Sequence, residues 1–241
     1  SPDSRYFPVE ALLTNSSSAN PNYFIQTHTV SYSHSARLFV SHKDSTYEDA
    51  SANFFGIAPV NFNSNLRQVS LLGSNKSLKN LETTIGGGVT RTFARATKKN
   101  FLREYANYEI IQLYTHASGG AGKEEPRIYF SDSILYLSDL INERKPSTRL
   151  VVLSAWETGT GKWYGGEGVF SFNRGFAAIG IPSSITNLWS VENKATYRLT
   201  ELFYKYMKQG LDIDVALQKA KLEFTKTGTR EEQMPYYWAS T

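Results

Sequence analysis

An α/β fold with a mostly parallel sheet covered on both faces is what this sequence predicts, on three observations. The first is the stretch Arg149-Leu150-Val151-Val152-Leu153-Ser154-Ala155-Trp156-Glu157-Thr158-Gly159, an apolar run entering a loop with glycines at 159, 161, 165, 166 and 168. That is the profile of a buried parallel strand whose C-terminal end carries a functional loop. The second is alternation: Glu109 to His116 reads as a strand, Val169 to Ile179 as a helix closed by Gly180, and Ser184 to Trp189 as a strand. The third is a pair of amphipathic helices at the end of the chain, Glu192 to Gln209 and Asp212 to Thr225. Ala195, Leu199, Leu202, Phe203 and Tyr206 line one face of the first, and Ile213, Ala216, Leu217, Ala220 and Phe224 one face of the second. Gly210 ends the first helix and Asp212 is placed to cap the second. Strands alternating with helices give a parallel sheet with both faces covered.

The earlier elements are less regular. Asn22 to Ser33, rich in β-branched and aromatic residues, predicts a strand or hairpin arm. Ser35 is placed to cap a short segment, Ala36 to Ser41, ahead of a polar loop over residues 42–51. Phe54 to Phe62 predicts another strand, with Pro59 setting it near an edge or an end. Residues 63–90 read as loop with a short helix around Leu78 to Thr84 and a flexible break at Gly86-Gly87-Gly88. Thr90 to Tyr105 reads as at least partly helical, and Arg91, Arg95, Lys98, Lys99 and Arg103 then share one face. That face suits an acidic partner or is a solvated surface. A short helical turn begins at Ser138 to Asn142.

Bulk composition narrows the function classes. The 241 residues are 40% hydrophobic, 14% aromatic and 20% charged, a globular balance with room for a substantial core. No run of 18 apolar residues occurs, and Ser1-Pro2-Asp3-Ser4-Arg5 lacks the basic-then-apolar pattern of a signal peptide, so a cytoplasmic chain with no membrane partner is expected. Zero cysteines exclude disulfides and any thiol nucleophile. A net charge of +4 does not by itself argue for nucleic acid.

Chemistry is expected at His116 and position 156. Both lie just past apolar strands joined by a segment of about 35 residues, enough for a β-α-β crossover that brings the two to one rim of the sheet. A histidine facing a thiol or hydroxyl there makes a base-nucleophile dyad, with backbone N–H groups at Ala117 and Trp156 as oxyanion donors. A lone histidine is also commonly structural. Gly159-Thr160-Gly161-Lys162 lacks two of the four P-loop determinants, having Trp156 and Trp163 where glycine and Ser/Thr are required. No Gly-x-Ser-x-Gly elbow occurs. His28, His34 and His42, without cysteine or a His-x-x-x-His pair, give no support to a zinc site, and no cofactor or metal is expected.

Leu153-Ser154-Ala155-Trp156-Glu157-Thr158-Gly159 resembles the Leu-Ser-Ala-Cys-Glu-Thr-Gly signature of CHAT domains, caspase-like peptidase relatives often found behind TPR repeats in bacteria. Similar stretches follow in the family's order. They are Val30 to Ser35, Ala96-Thr97-Lys98 ahead of Thr115-His116, Gly166-Glu167-Gly168, Asn187 to Val191, Phe203-Tyr204, Ala216 to Ala220, and Pro235 to Trp238. The resemblance covers nearly the whole chain. It implies one caspase-like three-layer α/β/α sandwich over residues 1–241, excised from a longer protein, with a His-Cys dyad that cuts peptide bonds. His116 matches the dyad histidine and Glu157, Thr158 and Gly159 the site loop. Trp156 stands at the nucleophile position, and an indole offers only an N–H donor, so no thioester can form.

The expected function is therefore a CHAT-type pseudopeptidase, a protein-binding or regulatory module with a protein or peptide partner. One alternative is an active cysteine endopeptidase in which Trp156 is an altered nucleophile position. Another is an acidic-surface or nucleic-acid binder acting through the Arg91 to Arg103 face.

Overall fold

A computed structural model describes residues 8–15, 21–33, 53–118, 125–141, 146–156 and 167–241. The strands are β1 (Phe54–Ala58), β2 (Val89–Thr92), β3 (Ile110–Ser118), β4 (Arg127–Tyr129), β5 (Ile134–Tyr136), β6 (Leu150–Trp156) and β7 (Ser183–Thr186). The helices are α1 (Ser74–Ile85), α2 (Lys98–Glu104), α3 (Leu137–Ile141), α4 (Glu167–Ala178), α5 (Asn193–Met207), α6 (Ile213–Thr227) and α7 (Pro235–Trp238). Five strands form a parallel sheet in the order β2-β1-β3-β6-β7, and β4 and β5 form an antiparallel hairpin on the last residues of β3. The expected three-layer α/β/α sandwich with a mostly parallel sheet is the observed architecture.

The layers follow from period-two alternation along the central strands. Ile110, Tyr114, Leu150 and Val152 join the core under α1, α5 and α6, with Leu81, Phe203 and Phe224. Their neighbours Ile111, Leu113, Val151 and Leu153 join the opposite core, with Phe101 of α2, Leu140 of α3 and Phe176 of α4. Both faces of β3 and β6 are thus buried, which is why these strands read as continuous apolar runs rather than alternating ones.

Several expectations are corrected. Asn22 to Ser33 is not a strand: its backbone turns through a 3-10 helix at Phe24–Gln26, with only an isolated bridge from Tyr23 to Leu13. The Thr27 and His28 N–H groups both donate to the Phe24 carbonyl, while the Phe24 N–H donates to the Leu12 carbonyl and the Asn22 carbonyl accepts from Thr14. The strand around residues 54–62 ends at Ala58 and is interior, so Pro59 marks its end and not an edge. The helix placed at Leu78 to Thr84 begins four residues earlier, at Ser74. Gly86, Gly87 and Gly88 all have positive φ and form a defined turn that stops α1 and launches β2. Val89–Thr92 is a strand rather than the start of a helix, because it pairs in parallel with β1 from Phe55 to Ala58. The β4–β5 hairpin carried no recognised signal. Asp212 holds the N-cap position of α6 without a capping bond from its side chain. Ser35 and the segment Ala36 to Ser41 lie outside the described residues.

The N-terminal segment is fastened to the helical layer by a buried ion pair. Lys221 Nζ of α6 lies 2.9 Å from Glu10 Oε1, with side chains only 3% and 6% exposed. The Tyr32 hydroxyl donates to Glu10 Oε2 at 2.7 Å, and Lys221 also donates to the Thr241 carbonyl. Burial alone would raise the Glu10 carboxyl; the Lys221 ammonium and the Tyr32 hydroxyl outweigh it and hold it below its ordinary value. Burial pushes the Lys221 ammonium down, with Glu10 opposing.

Two outcomes are expected. Gly88→Ala should lower stability by about 1–3 kcal/mol, since φ is 126° and a Cβ would sit 2.6 Å from the Phe54 carbonyl oxygen; thermal unfolding reads this directly. Glu10→Gln should cost about 3–5 kcal/mol at neutral pH, because it leaves a buried ammonium without its counter-charge. With a folded-state pKa below the unfolded one, Glu10 contributes stability that is complete above the unfolded value and is lost as pH falls through the folded one. The Tm gap between wild type and Glu10→Gln should therefore narrow on acidification, and a gap constant from neutral to strongly acid pH would contradict the assignment.

Candidate functional site

The centre of the candidate site is set by one pairing. Strands β3 and β6 run in parallel through seven matched positions, from Ile110 beside Leu150 to His116 beside Trp156. Both strand ends open on the C-terminal rim of the sheet, where α/β proteins place ligands. The crossover expected from spacing thus brings positions 116 and 156 to the same rung.

His116 is buried. Its Nε2 lies 2.8 Å from the backbone carbonyl oxygen of Val69, and its ring centroid is 5.0 Å from that of Phe62, tilted by 45°. A carbonyl only accepts, so Nε2 carries a proton and donates it to Val69. Phe62 and Val69 both come from the long connection between β1 and α1. That connection is anchored at Leu71, whose N–H donates to the Val60 carbonyl at 2.8 Å and whose own carbonyl accepts from the Tyr197 hydroxyl of α5. The arrangement fixes the ring through a backbone carbonyl at Nε2 and covers it with an aromatic.

Beneath this rung lies a polar layer. Gln112 Nε2 donates to Ser154 Oγ at 3.1 Å, Ser154 Oγ is 3.4 Å from Thr200 Oγ1, and Thr200 Oγ1 donates to the Thr196 carbonyl at 2.8 Å. Ser154 is 3% exposed, so its hydroxyl ties β6 to β3 and α5 and is not available as a replacement nucleophile. The Tyr114 hydroxyl, two residues before His116, pairs with Ser77 of α1 at 3.0 Å, and burial pushes it far above its ordinary pKa.

The other expected site residues are placed as follows. Ala117, the suggested oxyanion donor, is half-buried and faces Ile128 across the ladder with β4. Glu157, Thr158 and Gly159 lie outside the described residues, as do the glycine loop at 159–162, His34 and His42. His28 stacks on Phe24 at 4.1 Å and its Nδ1 pairs with the Thr27 hydroxyl, a structural role in the N-terminal segment. Among the described residues no group of three or more His, Asp or Glu is placed to hold a metal ion, and no helix is long and apolar enough to cross a membrane.

The basic face expected over Arg91 to Arg103 is not one helix face. Arg91 belongs to β2, Arg95 to a 3-10 turn, and only Lys98, Lys99 and Arg103 to α2, because strand pairing with β1 claims the first residues of the stretch. Arg91 and Arg103 both reach Glu104, at 3.5 and 2.9 Å, and Lys98 pairs with Asp139 at 2.7 Å.

Sequence reasoning missed Phe62, Val69 and Gln112. Phe62 was absorbed into a strand that stops short of it, and Val69 acts through its backbone carbonyl, which has no side-chain signature. A buried Gln112 in an apolar strand was the one readable signal, since a buried amide requires partners.

A comparison with curated proteins finds no match. A family model does: the CHAT domain model matches residues 2–241. With a parallel α/β sandwich carrying His116 at the end of one central strand and the Leu-Ser-Ala-x-Glu-Thr-Gly stretch at the end of its neighbour, the chain belongs to the CHAT domain family.

Proposed function

We propose that this chain is a CHAT-type pseudopeptidase, a caspase-like scaffold that keeps the dyad histidine and works by holding a protein or peptide partner. The observation that carries the reading is the His116–Trp156 rung in a chain without a single cysteine. Peptide cleavage by such a dyad needs a nucleophile that forms a covalent acyl intermediate and a base that takes its proton. His116 meets the second requirement through its Val69-bonded ring. Trp156 fails the first, because an indole has no ionisable thiol or hydroxyl. A scaffold with an ordered base and no nucleophile retains the means to bind a peptide at the rim without cutting it. The rim backbone then supplies polar groups for a partner's main chain.

Two measurements test this. The wild-type domain should leave protein and peptide substrates intact, and robust cleavage abolished by His116→Gln would sink the reading. The Trp156→Cys variant introduces the chain's only thiol, so its alkylation by iodoacetamide reports one group. An intact dyad should give an apparent thiol pKa about one or more units below the free value of ~8.5. Adding His116→Gln should return it to the ordinary range. A normal thiol pKa in Trp156→Cys, with folding unchanged by Tm, would mean that His116 does not act on position 156.

A further inference from the structure

We propose that the two rim connections over residues 59–73 and 93–97 form the partner-recognition surface, and that they take an extended protein segment that turns acidic and apolar side chains, two residues apart, to one face. The inference rests on the binding-module reading above and names the partner's chemistry.

The two connections are one surface. Strands β1 and β2 end on the same rung, Ala58 beside Thr92, so the chain leaves the sheet twice, side by side. Ser131 of the β4–β5 turn joins them: its carbonyl accepts from the Asn63 N–H and its N–H donates to the Ala96 carbonyl, both at 2.9 Å. The first connection also supplies Phe62 and the Val69 carbonyl to His116.

Three independent features mark this surface. Strain is the first. Val60, Arg67 and Phe93, with φ of 61°, 51° and 52°, are the non-glycine residues with positive φ among the described residues, and all three lie in these connections. Such strain persists only where the surrounding structure fixes it, and it collects at functional sites. Here the backbone is fixed by bonds from Asn61 N–H to the Pro59 carbonyl, Arg67 N–H to Ser64, Leu71 N–H to Val60 and Ala96 N–H to Phe93. The second feature is apolar exposure on that fixed backbone: Val69 is 62%, Leu72 72% and Phe93 44% exposed. Side chains presented this way lose little freedom when a partner covers them.

Charge is the third. Residues 59–73 and 93–97 contain Arg67 and Arg95 and no Asp or Glu. Neither arginine forms an ion pair among the described residues, whereas the neighbouring Arg91, Lys98 and Arg103 are all paired. Asp132 of the joining turn is engaged in accepting the Lys98 N–H. Each connection thus offers a guanidinium two residues from an exposed apolar side chain: Arg67 with Val69, and Arg95 with Phe93. Side chains two residues apart in an extended chain share a face, so a segment that carries carboxylate and hydrocarbon at successive same-face positions complements both pairs. Nucleic acid is the weaker fit, since phosphate binding needs many cations and gains nothing from exposed valine and leucine.

Fluorescence polarisation on the whole domain tests the inference with two labelled decapeptides, one in which leucine and glutamate take turns at every second position with serine between them, and one with lysine in place of glutamate. Wild type should bind the glutamate peptide and not the lysine peptide. Arg67→Glu with Arg95→Glu, both at exposed positions, should weaken the glutamate peptide at least about tenfold and admit the lysine peptide. Val69→Ser with Leu72→Ser should weaken binding several-fold without changing its salt dependence; unchanged Tm values show that each variant is folded. No binding of the glutamate peptide, equal binding of the two peptides, or indifference to the arginine reversals would overturn the inference. So would tighter binding of an oligouridylate lost in the same variants. Mass spectrometry of the peptide after incubation separates the two readings. His116-dependent cleavage of a rim-bound peptide defeats the pseudopeptidase reading and leaves rim recognition standing, while an intact peptide that ignores the rim variants does the reverse.

Discussion

The parallel pairing of β3 with β6 is the constraint on which the rest of this structure depends. Seven consecutive rungs, with both strands buried on both faces, leave no freedom of register: a slip by one residue would exchange the two cores, moving Tyr114 and Val152 to the side now filled by Leu113 and Leu153. Because the register is fixed by apolar residues far below the rim, the His116–Trp156 rung is fixed as well. No interaction between those two side chains is needed to bring them side by side. The site inherits its geometry from the core.

The same logic operates on His116 from the opposite direction. Its strand sets where the imidazole starts, but the β1–α1 connection sets which nitrogen carries the proton, through a carbonyl at Val69. That carbonyl is held in turn by Leu71, which bonds to Val60 and receives the Tyr197 hydroxyl. The chain of support therefore runs from helix α5 through a strained connection to the histidine. Below it, Gln112, Ser154 and Thr200 link β3, β6 and α5 with buried hydrogen bonds. Each such bond contributes about 0.5–1.5 kcal/mol net, but a half-made one costs more than it gains, so the layer favours one arrangement over near alternatives.

Legibility in the sequence followed the same division. Strands buried on both faces, β3 and β6, announced themselves as apolar runs, and α4, α5 and α6 as periodic patterns, so the sheet centre and the His116–156 juxtaposition were readable. The resemblance of Leu153 to Gly159 to the family signature, and the family match over residues 2–241, made the architecture specific. What was not readable depended on backbone partners. Val89–Thr92 is half-buried and contains no long apolar run, so only its pairing with β1 makes it a strand. The β4–β5 hairpin has three-residue strands, too short for alternation to register. Asn22 to Ser33 has strand-like composition, but beyond its single bridge to Leu13 the backbone turns through a 3-10 helix.

The residues that hold the rim are separate from position 156, which bears on how a tryptophan is accommodated there in this fold. Position 156 is the last residue of β6, while the register is set by apolar residues deeper in β3 and β6 and the histidine is held from Val69. Gln112 links β3 to β6 through Ser154, and the Leu71 and Val60 backbone anchors the connection that carries the Val69 carbonyl, so the support of the rung is spread over residues outside it.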